Sequence, residues 1–145
     1  MYALDTNAIL YYLKDDVHAV AVMRQVFAQN TPIYISAITE LELFAFANLS
    51  VQEESLIEDL LATVSIIAVD SRIARLAALA RKTYALKVPD SVIAATAMFT
   101  GSTLITRNAR LSKSPESRGA ENLMTVQGAL RAFDPRMGFR LRPHR

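Results

Sequence analysis

Tyr2-Ala3-Leu4-Asp5-Thr6-Asn7, followed by Ala8-Ile9-Leu10, decides how this chain is read. A short apolar run ends in a carboxylate, and an apolar pattern resumes at once. That pattern predicts a buried strand over Tyr2–Leu4, passing directly into a helix capped by Thr6 or Asn7. In open α/β sheets, chemistry sits just beyond the carboxyl ends of the strands, and Asp5 stands at such an end. Asp, Thr and Asn also favour helix starts, so the hexapeptide by itself fits a plain cap or turn residue too.

The chain beyond it alternates strands with helices. The first helix runs to about Leu13, and Asp15-Asp16 break it and start a second over His18–Gln29, where Val22, Val26 and Phe27 repeat at helical spacing. After the Thr31-Pro32 turn, Ile33-Tyr34-Ile35 is β-branched and aromatic, as a strand should be. Ser36 opens a helix from Ala37 to about Ala47; after the break at Asn48-Leu49-Ser50, another covers Val51–Thr63. Ser65–Val69 reads as an apolar strand ended by a helix cap at Asp70-Ser71, and Arg72–Leu86 is amphipathic through Ile73, Leu76, Ala77, Ala80 and Tyr84. Pro89 falls in the first turn of the helix Asp90–Thr100, which Gly101 ends. Thr103-Leu104-Ile105 is a strand closed by Thr106. Residues 107–121 are polar and turn-rich, Leu123–Val126 suits a last short strand, and Gln127–Phe133 a short helix. Alternation of this kind predicts an α/β fold: a central parallel sheet of four or five strands flanked by helices in three layers.

Bulk properties bound the rest. The 145 residues are 52% hydrophobic and 21% charged, enough for one domain with a sizeable core. We place that domain over residues 1–133, followed by a basic, mobile tail over 134–145. No cysteine is present, which excludes disulfides, a thiolate-bound zinc and a cysteine nucleophile. No signal-like segment or membrane-length apolar run occurs, so the expectation is a cytoplasmic protein with no membrane partner. The net charge of +2 hides an asymmetry: residues 1–106 carry 11 acidic and 7 basic side chains, residues 107–145 only 3 acidic and 9 basic. A basic C-terminal part suits an anionic partner, or an ordinary solvated tail.

Three acids stand in apolar surroundings. Asp5 ends the first strand, Glu42 lies in Ile38-Thr39-Glu40-Leu41-Glu42-Leu43, and Asp90 opens Asp90-Ser91-Val92-Ile93-Ala94-Ala95. Helices that follow parallel strands begin near the strands' carboxyl ends, so all three can converge at one end of the sheet, beside Thr106-Arg107-Asn108. Gathered carboxylates repel one another and raise each other's pKa values. A divalent cation relieves this, and oxygen-only ligands suit Mg²⁺ or Mn²⁺. Such an ion can ionise a water and stabilise phosphoryl charge, which favours phosphodiester hydrolysis.

These pieces resemble, in order, the PIN-domain ribonucleases, and specifically VapC-type toxins of toxin–antitoxin pairs. The matching stretches are Leu4-Asp5-Thr6-Asn7; Ile35-Ser36-Ala37-Ile38-Thr39 with Glu42-Leu43; Pro89-Asp90-Ser91-Val92-Ile93-Ala94-Ala95-Thr96-Ala97; and Leu104-Ile105-Thr106-Arg107-Asn108. Together they span about residues 2–126. The resemblance implies a PIN-like fold and a Mg²⁺- or Mn²⁺-dependent endoribonuclease. Asp5 and Asp90 would be the principal metal ligands, and Glu42 would ligate through water or orient the attacking water. Thr6, Asn7, Thr106 and Asn108 would position the acids or the scissile phosphate. It also implies a cognate antitoxin, whose segment lies in a groove by the third and fourth helices, and a possible homodimer. Arg107 and Arg110 flank the expected site and could hold RNA phosphates.

One departure matters. The family often has a fourth acid three residues after the Asn of the last motif; here that residue is Leu111, with Glu116 as a substitute nearby. The alternative is therefore a weak or inactive PIN-fold protein that binds RNA or a protein partner. A haloacid-dehalogenase-like phosphatase is a further rival, but it needs an Asp where Asn7 stands. A response-regulator receiver would need an acidic pair and a Lys. Glu40 lies about 200° round the helix from Glu42 and cannot share its site. His18 and His144 have no partner at ligand spacing. The stripe Phe44, Phe46, Leu49, Leu56 and Leu60 is expected to be mostly core.

Overall fold

In the computed structural model, the described residues are 1–108, 111 and, for the backbone, 124–126. The first strand, β1 (Tyr2–Leu4), occupies the middle of a five-stranded sheet. It is followed by α1 (Thr6–Leu13), α2 (Val17–Ala28), β2 (Ile33–Ser36), α3 (Ala37–Phe44), α4 (Val51–Leu61) and β3 (Ser65–Ile67). Then come α5 (Ser71–Tyr84), α6 (Val88–Thr100), β4 (Thr103–Thr106) and β5 (Met124–Val126). The spatial order is β3-β2-β1-β4-β5. The chain therefore leaves β1 on one side to build β2 and β3, then returns to add β4 on the other. The gap between β1 and β4 is the switch point of the topology, the place where open α/β sheets bind ligands.

Alternation along the strands sends neighbours to opposite faces. Leu4 and Ile105 join Ile33 and Ile35 beneath α1, α2 and α4, packed against Ile9, Met23, Ile57 and Leu60. Ala3 and Leu104 face the other way, against Ile93, Ala94 and Ala97 of α6 and Ala80 of α5. This is the three-layer arrangement expected from the sequence. The alanines of α6 (Ala94, Ala95 and Ala97, all fully buried) present almost no side-chain volume, which lets that helix lie close to the sheet.

The parallel sheet of four strands is present as expected, in β1, β2, β3 and β4; the fifth strand, β5, pairs antiparallel with β4, Leu104 opposite Val126. A parallel neighbour would need a crossover helix, and the polar stretch after β4 has no helical pattern. Several boundaries differ from expectation. β3 stops at Ile67 because its partner ends there, Ser36 pairing with Ile67. α3 ends at Phe44 rather than near Ala47: its last turn tightens, with Phe46 N–H bonding the Leu43 carbonyl, and Asn48 takes a left-handed φ of 60°. α6 begins at Val88, so Asp90 lies inside its first turn rather than opening it. The tail, the Gln127–Phe133 helix, Arg110, Glu116 and His144 lie outside the described residues. Among the described residues, no helix is long and apolar enough to cross a membrane.

Candidate active site

Asp5 is built by the strand it follows. Its N–H bonds the Ile105 carbonyl at 3.1 Å, so the β1–β4 ladder continues through it before the chain turns into α1. Asp5 therefore takes the N-cap position, with extended backbone (φ −77°, ψ 151°), and Thr6 and Asn7 are helical residues rather than caps. The Asp5 side chain makes no cap hydrogen bond. It accepts instead from Thr106 Oγ1 at 2.5 Å, across the switch point between β1 and β4. Thr106 is fixed in turn, because its Oγ1 accepts from the Asn108 N–H at 3.0 Å.

Asp5 is only 6% exposed, and burial pushes its carboxyl above the ordinary 3.8. The Thr106 hydrogen bond pulls the other way. The charge of Asp90 pushes it further up, the Asn7 amide lowers it, and the charge of Glu42 adds the smallest upward push. The three acids singled out from the sequence thus share one electrostatic neighbourhood. Glu42 is reached from α1: Thr6 Oγ1 donates to Glu42 Oε2. Glu40 takes no hydrogen bond or ion pair among the described residues, in keeping with its place on another face of α3. Asp90 is half-buried in the first turn of α6. Asn7 is exposed, and His18 is exposed away from any ligand partner.

Arg107 is tethered. Its guanidinium bonds Asp16 at 2.9 Å and lies over the Tyr11 ring, 3.9 Å from the centroid. Asp16 also caps α2 by accepting from the Ala19 N–H, an interaction that holds its carboxyl below the usual range together with the Arg107 charge. On the sequence alone, Asp16 is only a helix break and cap. No local pattern signals a partner 91 residues away. Leu111, at the place of the family's usual fourth acid, is 3% exposed and packed with Ala3, Ala94 and Leu104.

A hard divalent cation is the group such a family implies. The donor chemistry fits it: three carboxylates and no sulfur ligand, with Asp5 disfavoured as an anion by burial and by its two acidic neighbours. The acids are not already drawn into a ligand shell. Among the described residues, no group of three acidic or imidazole side chains could hold an ion as placed.

Towards the C-terminal end of α1, that helix and α4 flank a largely apolar groove lined by Leu10, Leu13, Phe46, Leu49, Leu56 and Ile57, with the charged Lys14 and Glu53 also on its wall. Phe44, Phe46 and Leu56 are 40%, 42% and 48% exposed, and of the expected core stripe only Leu60 is buried, with Leu49 half-buried.

Fold and site define the class: a three-layer α/β protein with a carboxylate crevice at its strand switch point. The family model of the PIN domain matches residues 2–116, and the chain belongs to that family. Its structure is similar to a chain of a toxin–antitoxin complex from Klebsiella pneumoniae, with 30% identity, TM-score 0.66, and 79% of this chain and 93% of the other covered. It is also similar to a chain of DNA-bound VapBC from Salmonella typhimurium (25% identity, TM-score 0.65, 79% and 92% covered). FitAcB from Neisseria gonorrhoeae is a third such structure, at 27% identity, TM-score 0.59, and 75% and 88% covered. Comparison with the curated proteins gives no match.

Proposed function

We propose that this chain is a divalent-metal-dependent endoribonuclease, the toxin of a toxin–antitoxin pair. The observation that carries the reading is Asp5: a carboxylate buried at the switch point, pressed by Asp90 and Glu42, and braced by Thr106. Membership of the PIN family and the likeness to chains of toxin–antitoxin complexes support it.

In this reading Asp5 and Asp90 hold Mg²⁺ or Mn²⁺. When bound, the ion supplies an ionised water and charge stabilisation at the phosphoryl oxygen. Thr106 fixes the rotamer of Asp5, and Thr6 fixes that of Glu42. Glu42 Oε1, opposite the oxygen that Thr6 engages, orients the attacking water. Asn108 holds the Thr106 hydroxyl in its donating position through its backbone N–H. The basic stretch beginning at Arg107 meets the RNA phosphates, with Arg110 as a donor and Arg107 available when it leaves Asp16. The RNA is single-stranded or looped, because a stiff duplex does not enter a crevice at a sheet edge. The groove between α1 and α4 receives an apolar segment of the antitoxin, since its exposed Phe46 and Leu56 are apolar area that a partner would bury.

Leu111 favours a second reading, a PIN scaffold that binds without cutting, because the usual fourth acid is replaced by a core residue. A labelled-RNA assay separates the two. With Mg²⁺ or Mn²⁺ the antitoxin-free protein cuts, chelator stops it, and Asp5→Asn or Asp90→Asn lowers the rate by roughly 10³-fold, the several kcal/mol that a catalytic ion contributes. Folded protein that binds RNA and the ion without turnover supports the second reading.

A further inference from the structure

Threonines beyond the first turns of the helices share a habit. Thr83, Thr96 and Thr100 each turn the hydroxyl back onto the carbonyl four residues earlier. Thr39 does not. It stands in the first turn of α3, and the residue four before it, Ile35, is still in β2, where no helical carbonyl is offered. Its side chain is 0% exposed, and its Oγ1 has no hydrogen-bond partner among the described residues. Such a buried polar atom calls for an explanation.

Helical geometry shows where it faces. Ile38 packs with Val92 and Ala95 of α6, and Leu43 lies in the cluster of Ala8 and Ile9 of α1. At roughly 100° per residue, Glu42 lies about 40° round from Ile38, Thr39 about 100° and Leu43 about 140°. Glu42 and Thr39 therefore both face the seam between α6 and α1. The N-terminal ends of those two helices carry Asp90 and the Asp5-Thr6 pair. In that seam the hydroxyls pair with the acids one to one: Thr106 donates to Asp5, and Thr6 donates to Glu42. Asp90 accepts no side-chain hydrogen bond among the described residues, and Thr39 is the buried hydroxyl left over.

We propose that Thr39 is a positioning residue whose hydroxyl serves the Asp90 carboxylate, completing a set of one threonine for each acid. The inference rests on the metal-dependent reading of the same site. It acts on ion binding through the orientation of Asp90, as outer-shell donors do in metal centres generally.

The test uses the full, antitoxin-free chain, Mn²⁺ alone as the calorimetric probe, and thermal unfolding in chelator. Thr39→Val keeps the shape and removes only the hydroxyl. It is expected to unfold in chelator at or above the wild-type temperature, and to bind Mn²⁺ roughly 10- to 100-fold more weakly. Thr39→Ser, which keeps the hydroxyl, is expected to bind close to wild type. Unchanged Mn²⁺ affinity in Thr39→Val overturns the inference. So does equal weakening in both variants, which marks a packing effect, or a Thr39→Val protein destabilised in chelator, which marks a structural hydrogen bond. Wild type that takes up no Mn²⁺ overturns the metal reading and the inference together; uptake that ignores Thr39 overturns the inference alone.

Discussion

The crevice beyond β1 and the flank between α1 and α4 break the ordinary burial rule in opposite senses. In the crevice, Asp5, Thr6, Thr39 and Thr106 are polar and buried; on the flank, Phe46 and Leu56 are large, apolar and exposed. A buried polar group or an exposed apolar patch is the informative departure in a folded protein. The two departures ask for different things. The crevice holds like charges that need a counter-charge, and the flank holds apolar area that needs a cover. Each explains a different part of the proposed function: chemistry in the one, restraint by a partner in the other.

Leu111 offers the sharpest way to break this contrast, because it occupies an acid's place in the family while belonging to the apolar layer. If it is core, Leu111→Asp does not rebuild a metal site. It buries a carboxylate among Ala3, Ala94 and Leu104 and lowers unfolding stability by roughly 3 kcal/mol or more, measured by denaturant titration. Gain of cleavage without loss of stability would instead move Leu111 into the crevice. The flank is tested by Phe46→Glu and Leu56→Glu. Affinity for the co-expressed antitoxin is expected to fall by about 2 kcal/mol or more, while RNA cleavage by the free toxin is unchanged. A drop in cleavage would merge the two regions into one.

Asp16 serves the crevice from outside it, since it caps α2 and holds Arg107. Asp16→Ala is expected to lower the melting temperature by about 3 °C through the lost cap. It should also free Arg107, which appears as a steeper salt dependence of RNA binding.

A smaller effect concerns pH. The carboxyl of Asp5 is raised in the folded state, first by burial and then by Asp90 and Glu42. The native state therefore binds the proton more tightly than the unfolded chain. Metal-free stability then falls as pH rises from 3.8 through the raised value. Asp5→Asn removes this loss. In chelator at neutral pH it is expected to be more stable than wild type, with the gap closing at acid pH, as denaturant titration across pH would show.

Much of the crevice was legible in the sequence. Asp5 announced itself because an acid ends an apolar strand, and the order of the four motifs placed Glu42, Asp90 and Thr106 with it. What the sequence could not carry was pairing at a distance. Thr6 to Glu42, Thr106 to Asp5 and Arg107 to Asp16 join residues 36, 101 and 91 apart, and a partner so far along the chain leaves no local mark. The flank was misread for another reason. Helical periodicity shows that Phe44, Phe46 and Leu56 are apolar, but it does not say whether the chain itself covers them. The direction of β5 was there to be read, since the polar stretch after β4 offers no crossover helix, but a strand of three residues drew no assignment of sense.

The most direct measurement is thermal unfolding of wild type and Asp5→Asn, side by side, in chelator and in excess Mn²⁺. The account predicts a crossover. Asp5→Asn unfolds above wild type in chelator, where its carboxylate is only a burden. In Mn²⁺ at about 100 times the dissociation constant, wild type gains roughly 2.7 kcal/mol and overtakes a variant that gains little. Wild type whose unfolding is indifferent to Mn²⁺, with Asp5→Asn above it under both conditions, would contradict the claim that these acids are gathered to hold a cation.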